Sequence, residues 1–218
     1  MLFYSVQWSR RFAVILSAAK DLSHPLYKIL RRKAPQNDRL SILDAKGARV
    51  TFDREHSCCF TGHRPQKLPW GMNEDDPRCL ALKREIAARL DAVYELGYRR
   101  FLCGMAIGCD MYFAEAVLAL REKYGDVTLE AAIPFGDQPG RWSQKLRLRY
   151  NNLIDSADQV TVLQYGYTPD CMMRRNRYMV DHASLLLACY DGRPGGTMNT
   201  ILYAERNEVK VLVIEIET

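Results

Sequence analysis

Four short segments hold the residues of this chain that could do chemistry. They are Thr61-Gly62-His63-Arg64-Pro65, residues 103–110 (Cys-Gly-Met-Ala-Ile-Gly-Cys-Asp), Pro134-Phe135-Gly136, and residues 191–197 (Asp-Gly-Arg-Pro-Gly-Gly-Thr). In the second segment Gly104, Met105, Ala106 and Gly108 follow an apolar run, and Asp110 stands where a helix should begin. Glycines let backbone N–H groups approach a ligand closely, and a helix N-terminus adds partial positive charge, so such a turn suits a phosphate. A tight packing turn gives the same pattern. Gly195-Gly196-Thr197 repeats it, with Thr197 placed to cap a helix or to donate to a phosphate oxygen.

The polar residues beside these glycines suggest roles. Arg64 is a bidentate donor for phosphate or carboxylate; the alternative is a surface arginine held by an acid. His63 could act as acid or base, or only as a structural hydrogen-bond partner. Asp110 could hold a ribose hydroxyl or cap the helix, and Asp191 could hold ribose too. Arg174-Arg175-Asn176-Arg177 is a basic cluster, from which Arg174 and Arg177 are expected at the ligand, with Asn176 and Asp181 as base or ribose contacts. Such runs are more often a solvated face. Tyr165 and Tyr167 could stack on a base, and Trp142 could cover a pocket or simply pack.

These segments need a frame that brings them together. Apolar runs at 57–61, 100–103, 127–133, 159–163, 184–190 and 209–214 read as strands. Between them lie helical patterns. Asp76-Pro77 opens one that carries Leu82, Ile86, Leu90 and Val93 on one face and ends at Gly97. Others run over 110–124, from Ser143 with Leu146, Tyr150 and Leu153, over 171–182, and from Thr197 to 207. Near-continuous apolar strands alternating with helices predict a doubly wound, mostly parallel α/β sheet of about six strands, Rossmann-like, with helices on both faces. Ligands of such sheets bind outside the carboxyl ends of the strands, where all four segments fall.

Composition narrows the classes. Residues 1–56 carry 11 Lys/Arg against 5 Asp/Glu, while the rest of the chain is nearly balanced. Residues 1–56 therefore read as a poorly structured basic N-terminal extension, with a weak likeness to a signal peptide over 9–19, and 57–218 as one domain. The balanced domain argues against nucleic acid as a partner. Seven cysteines with no Cys-x-x-Cys spacing, and four scattered histidines, argue against a metal site and for buried thiols in the cytoplasm. No stretch is long and apolar enough for a membrane span. A homodimer is compatible with the sequence, but no residue fixes it.

The combination of Thr61-Gly62-His63-Arg64-Pro65, Gly104 to Asp110 with Ala114-Glu115, Arg174 to Asp181, and Tyr190 to Thr197 resembles the SLOG superfamily of Rossmann-like proteins, within its YpsA/YoqJ-like branch. The resemblance covers residues 57–214. It implies a doubly wound sheet and a nucleotide or nucleotide-derived ligand, sensed or processed; no cofactor is certain. The superfamily includes phosphoribohydrolases, proteins that load single-stranded DNA, and nucleotide sensors. The hydrolases carry Pro-Gly-Gly-x-Gly-Thr and a following glutamate. Here Met198 and Asn199 intervene before Thr200, and no carboxylate stands at the matching position. An N-glycosidase of this pocket would have to use Asp110, Glu115 or Asp191. Single-stranded nucleic-acid binding is the third alternative.

Overall fold

The computed structural model describes residues 53–217. Residues 1–52, most of the expected extension, lie outside the described residues. The described chain alternates strand and helix throughout: β1 (Ser57–Gly62), α1 (Pro77–Glu95), β2 (Arg100–Cys103), α2 (Cys109–Tyr124), β3 (Thr128–Ile133), α3 (Gln144–Ser156), β4 (Gln159–Val162), α4 (Cys171–Asp181), β5 (Leu185–Tyr190), α5 (Gly196–Arg206) and β6 (Lys210–Glu215). A short 3-10 turn, Pro65–Lys67, follows β1.

All six strands are parallel, in the order β4-β3-β2-β1-β5-β6. The sheet is a Rossmann-like α/β sheet, as the sequence predicts. Handedness explains where the helices go. Right-handed crossovers that step from β1 toward β4 place α1, α2 and α3 on one face. After β4 the chain returns past β1, and right-handed steps to β5 and β6 place α4 and α5 on the other. Strand alternation follows suit. Cys58, Phe60, Phe101, Leu129, Leu185 and Leu187 face α1–α3, whereas Cys59, Leu102, Ala132, Leu186 and Ala188 face Met179, Val180, Ile201 and Ala204 of α4 and α5.

Local chemistry sets several boundaries. Asp76 caps α1 by accepting from the Arg78 N–H, and Pro77 sits in the first turn. Ser143 caps α3 by accepting from Leu146 N–H. Gly125 closes α2 in the left-handed conformation. A buried polar cluster interrupts the second core. Glu130, in the middle of β3, pairs with the Arg100 guanidinium and accepts from Thr161 Oγ1 at 2.7 Å and Tyr178 OH at 2.8 Å. Burial pushes the Tyr178 phenol up, so it stays a proton donor to this carboxylate.

β1 is the place where the winding reverses: its neighbours β2 and β5 lie on opposite sides and their crossovers run in opposite senses. The carboxyl ends of β1 and β5 therefore diverge into loops that leave a crevice.

Candidate functional site

A cleft of about 340 Å³ opens at that switch point. The loop after β1 supplies Thr61, Gly62, His63, Arg64, Gln66 and Lys67. The loop after β2 and the start of α2 supply Ala106 and Asp110. From the other face come Met172, Arg175 and Asn176 of α4, and Gly196 and Thr197 at the N-terminus of α5.

Two buried ion pairs organise its walls. Asp110 and Arg175 are each about 5% exposed, with Arg175 Nη1 3.6 Å from Asp110 Oδ2. Asp110 Oδ2 also accepts from the Ala106 N–H at 3.1 Å. Burial pushes the Asp110 carboxyl above its usual value, opposed by Arg175, the Ala106 N–H and Arg64. Arg175 Nε donates to Asn176 Oδ1 at 2.8 Å, and Asn176 Nδ2 donates to Thr200 Oγ1 at 2.7 Å. Nη1 of Arg175 makes no hydrogen bond, although it is buried.

The second pair joins His63 Nε2 to Asp191 Oδ1 at 2.6 Å, with both side chains buried. The other ring nitrogen, Nδ1, lies 3.2 Å from Thr197 Oγ1. Burial works against the Asp191 charge, but the Arg193 N–H, His63 and the Arg193 guanidinium together hold the carboxyl below its usual value.

Two of the glycines have packing reasons. A Cβ on Gly104 would fall inside the Arg175 guanidinium. Gly108 has φ +97°, and a Cβ there would meet the His63 carbonyl oxygen at 2.8 Å. The loop after β2 thus holds Arg175 and the β1 loop in place, while Gln138 Nε2 donates to the Gly104 and Met105 carbonyls at 3.3 and 3.0 Å.

The structure sorts the predicted site residues. Thr61, Gly62, His63, Arg64, Ala106, Asp110, Asn176, Gly196 and Thr197 line the cleft. Met105 (φ 55°), Gly104 and Gly108 are buried behind it, and Pro134 is buried just after β3. Asp191 stands behind His63, and Gly195 beside Lys67. Others lie away from it. Glu115 is bound at 2.6 Å to Arg149, which also holds Glu74. Arg174 donates to Gln164 Oε1, and Arg177 lies over the Tyr203 ring. Of the basic cluster it is Arg175 that enters the cleft. Trp142 packs edge-on against Tyr150.

Two expected caps take another form. Gly108 occupies the N-cap of α2, so Asp110 is the second residue of the helix, in its first turn, and accepts from the Ala106 N–H of the preceding loop instead. Gly195 occupies the N-cap of α5, which frees Thr197 for His63.

Sequence reasoning missed Arg175, Lys67, Gln66 and Met172. Arg175 had a signal: it lies four residues from both Cys171 and Met179, on the buried face of α4. Lys67, which reaches Pro194 O at 2.7 Å, had none in the sequence.

A second depression, about 410 Å³, lies between the start of α1 and residues 214–217. Its one basic side chain, Arg78, is tied to Asp76 at 2.9 Å. Among the described residues no helix is long and apolar enough to cross a membrane.

Comparison with known proteins gives consistent findings. Two curated relatives come from Bacillus. The uncharacterized SPbeta prophage-derived protein YoqJ of Bacillus subtilis is 28% identical over 144 residues, 60% of this chain and 84% of that protein. A UPF0398 protein of Bacillus pumilus is 30% identical over 149 residues, 67% of this chain and 80% of that protein. Two solved structures are similar to part of the chain. DNA processing protein A from Streptococcus pneumoniae has a TM-score of 0.49 at 15% identity, over 73% of this chain and 50% of that one. The Helicobacter pylori protein, described for its single-stranded DNA binding mode, has 0.48 at 14% identity, over 74% of this chain and 66% of that one. The chain thus spans half of the first and just under two thirds of the second. The expectation that nucleic acid is an unlikely partner is corrected by these two findings, both of them DNA-processing proteins and one described for its single-stranded DNA binding. A family model, the YspA SLOG family, matches residues 58–217, from the second residue of β1 through the end of the described fold and across every loop of the cleft. The chain belongs to the YspA SLOG family.

Proposed function

We propose that the switch-point cleft binds a nucleotide or nucleotide-derived small molecule by its phosphate. One observation carries this reading: Arg64, Lys67, Arg175 and the N-terminus of α5 converge on one cleft whose lining holds a single carboxylate, Asp110. That carboxylate is already paired with Arg175. Among the described residues no carboxylate lies within ion-pair distance of Arg64 or Lys67; Arg64 has only Met172 Sδ at 3.4 Å. The first N–H groups of a helix lack intrahelical partners and favour an anion. The buried Arg175 and the exposed Arg64 and Lys67 beside such a terminus leave a positive site that a phosphate would neutralise. Asn176 and Thr61 line the remainder of the cleft and can meet a ribose or base.

The N-glycosidase reading has less support, because Asp110, Glu115 and Asp191 are each engaged by Arg175, Arg149 and His63. A second reading keeps the cleft and lengthens the ligand to single-stranded nucleic acid. Its support is Tyr165 and Tyr167, each 66% exposed on the loop after β4, where bases could stack. All seven cysteines are free thiols, which fits a reducing compartment such as the cytoplasm.

Calorimetric titration with adenosine 5′-monophosphate tests the first reading. Arg64→Ala should weaken binding about tenfold or more, the loss expected of a charge-assisted hydrogen bond; unchanged affinity refutes the assignment. A labelled oligothymidine titrated at increasing salt tests the second. Its affinity should fall steeply as counterions compete, and a flat response excludes it.

A further inference from the structure

We propose that the phosphate is bound together with a proton taken up by His63, so that the chain Asp191–His63–Thr197 selects an anion that only accepts hydrogen bonds. This rests on the phosphate reading of the cleft and adds a specificity device to it.

The argument is one of hydrogen-bond direction. Asp191 is held ionised by its neighbours and accepts from His63 Nε2 at 2.6 Å, so Nε2 carries a hydrogen in every state. With His63 neutral, Nδ1 has only a lone pair. Thr197 must then donate its single hydroxyl hydrogen to Nδ1, 3.2 Å away. Its oxygen turns lone pairs toward the cleft, and these repel a phosphate oxygen. Protonation of His63 reverses the bond. Nδ1–H now donates to Thr197 Oγ1, and the hydroxyl hydrogen is free for the ligand. Thr197 is about 5% exposed, and its hydroxyl has one hydrogen to give, either to Nδ1 or to the ligand. His63 and Asp191 are thus positioning residues that act through Thr197.

The charges facing His63 fit this linkage. From the loop after β5 come Asp191 and Arg193, whose Nε is 3.6 Å from Asp191 Oδ2. The Tyr190 ring meets the imidazole edge-on at 5.9 Å. Arg64 adjoins it in sequence, Lys67 stands on the next turn, and Asp110 with Arg175 line the cleft opposite. An entering phosphate dianion adds negative charge beside the ring and favours a positive charge there. Affinity should therefore fall as pH rises, by up to about tenfold per pH unit for one linked proton.

The experiment is calorimetry of the full chain with adenosine 5′-monophosphate near pH ~8, where a phosphate monoester is a dianion. It is run in two buffers of different ionisation enthalpy. The expected result is uptake of about one proton by the wild type. Thr197→Val removes the hydroxyl and should bind more weakly with no uptake. His63→Gln should also lose it; if that variant does not fold, Thr197→Val decides alone. Binding with no buffer dependence overturns the inference and leaves the phosphate site standing. Uptake that persists in either variant places the proton elsewhere and also overturns it. Absence of binding in every buffer refutes the phosphate reading itself, and the inference with it.

Discussion

Gly104→Ala is the most informative single change to the cleft. The structure lays the Arg175 guanidinium directly on Gly104, so an added Cβ and that guanidinium cannot share the space. Arg175 is 5% exposed and wedged beside Asp110, and its expulsion leaves Asp110 buried without its cation. Breaking a buried pair in this way costs about 3–5 kcal/mol. A domain of this size has about 5–15 kcal/mol in all, so the loss should be plain in urea unfolding at neutral pH. Arg175→Ala removes the same cation and empties the same space. The two changes should therefore not add: the double variant should unfold close to Arg175→Ala alone, so the coupling energy should match the Gly104→Ala loss of about 3–5 kcal/mol. Lower pH should shrink all three deficits. Burial holds the Asp110 carboxyl above its ordinary value, so the folded state binds its proton more tightly than the unfolded chain, and acid removes the unpaired charge. Strictly additive losses, or a Gly104→Ala loss under about 1 kcal/mol, would falsify the claim that Gly104 exists for Arg175.

Three further outcomes are expected. Asp191 is held below the usual aspartate value, so its pairing with His63 stabilises the fold fully above the ordinary carboxyl range and is lost as pH falls through and below it; Asp191→Asn should abolish that part of the acid transition in a pH series of melts. All seven thiols are buried, and burial pushes Cys58 up to about 12, so the native protein should stay unmodified by a thiol-specific disulfide reagent until denatured; rapid native labelling would contradict the packing. A chain beginning at Asp53 should unfold as cooperatively as the full chain, whereas one beginning at Ser57 should be weaker. The segment between supplies carbonyls that accept from Ser184 Oγ at 2.6 Å and from Arg99 N–H at 3.0 Å. Equal melts for the two truncations would show that these contacts contribute nothing.

The sequence by itself determined the layers of this protein. Alternation of apolar runs with helical periodicity is a local signal, and it fixes which segments pair as strands and which faces are buried. Handedness then limits how they connect. The glycine loops were legible for the same reason, since each ends a strand and opens a helix. Only the tertiary structure decided which side chains meet. His63 and Asp191 are 128 residues apart, and their contact depends on β1 and β5 being neighbours at the reversal of winding. Asp110 reads as a helix cap until Arg175 arrives from the opposite face of the sheet. The choice among the arginines at 174, 175 and 177 is a matter of helix phase, which turns each by about 100° per residue and becomes an address only when the helix is docked. Pairings of that kind carry no local signature, because the free energy that makes them comes from burial across the sheet.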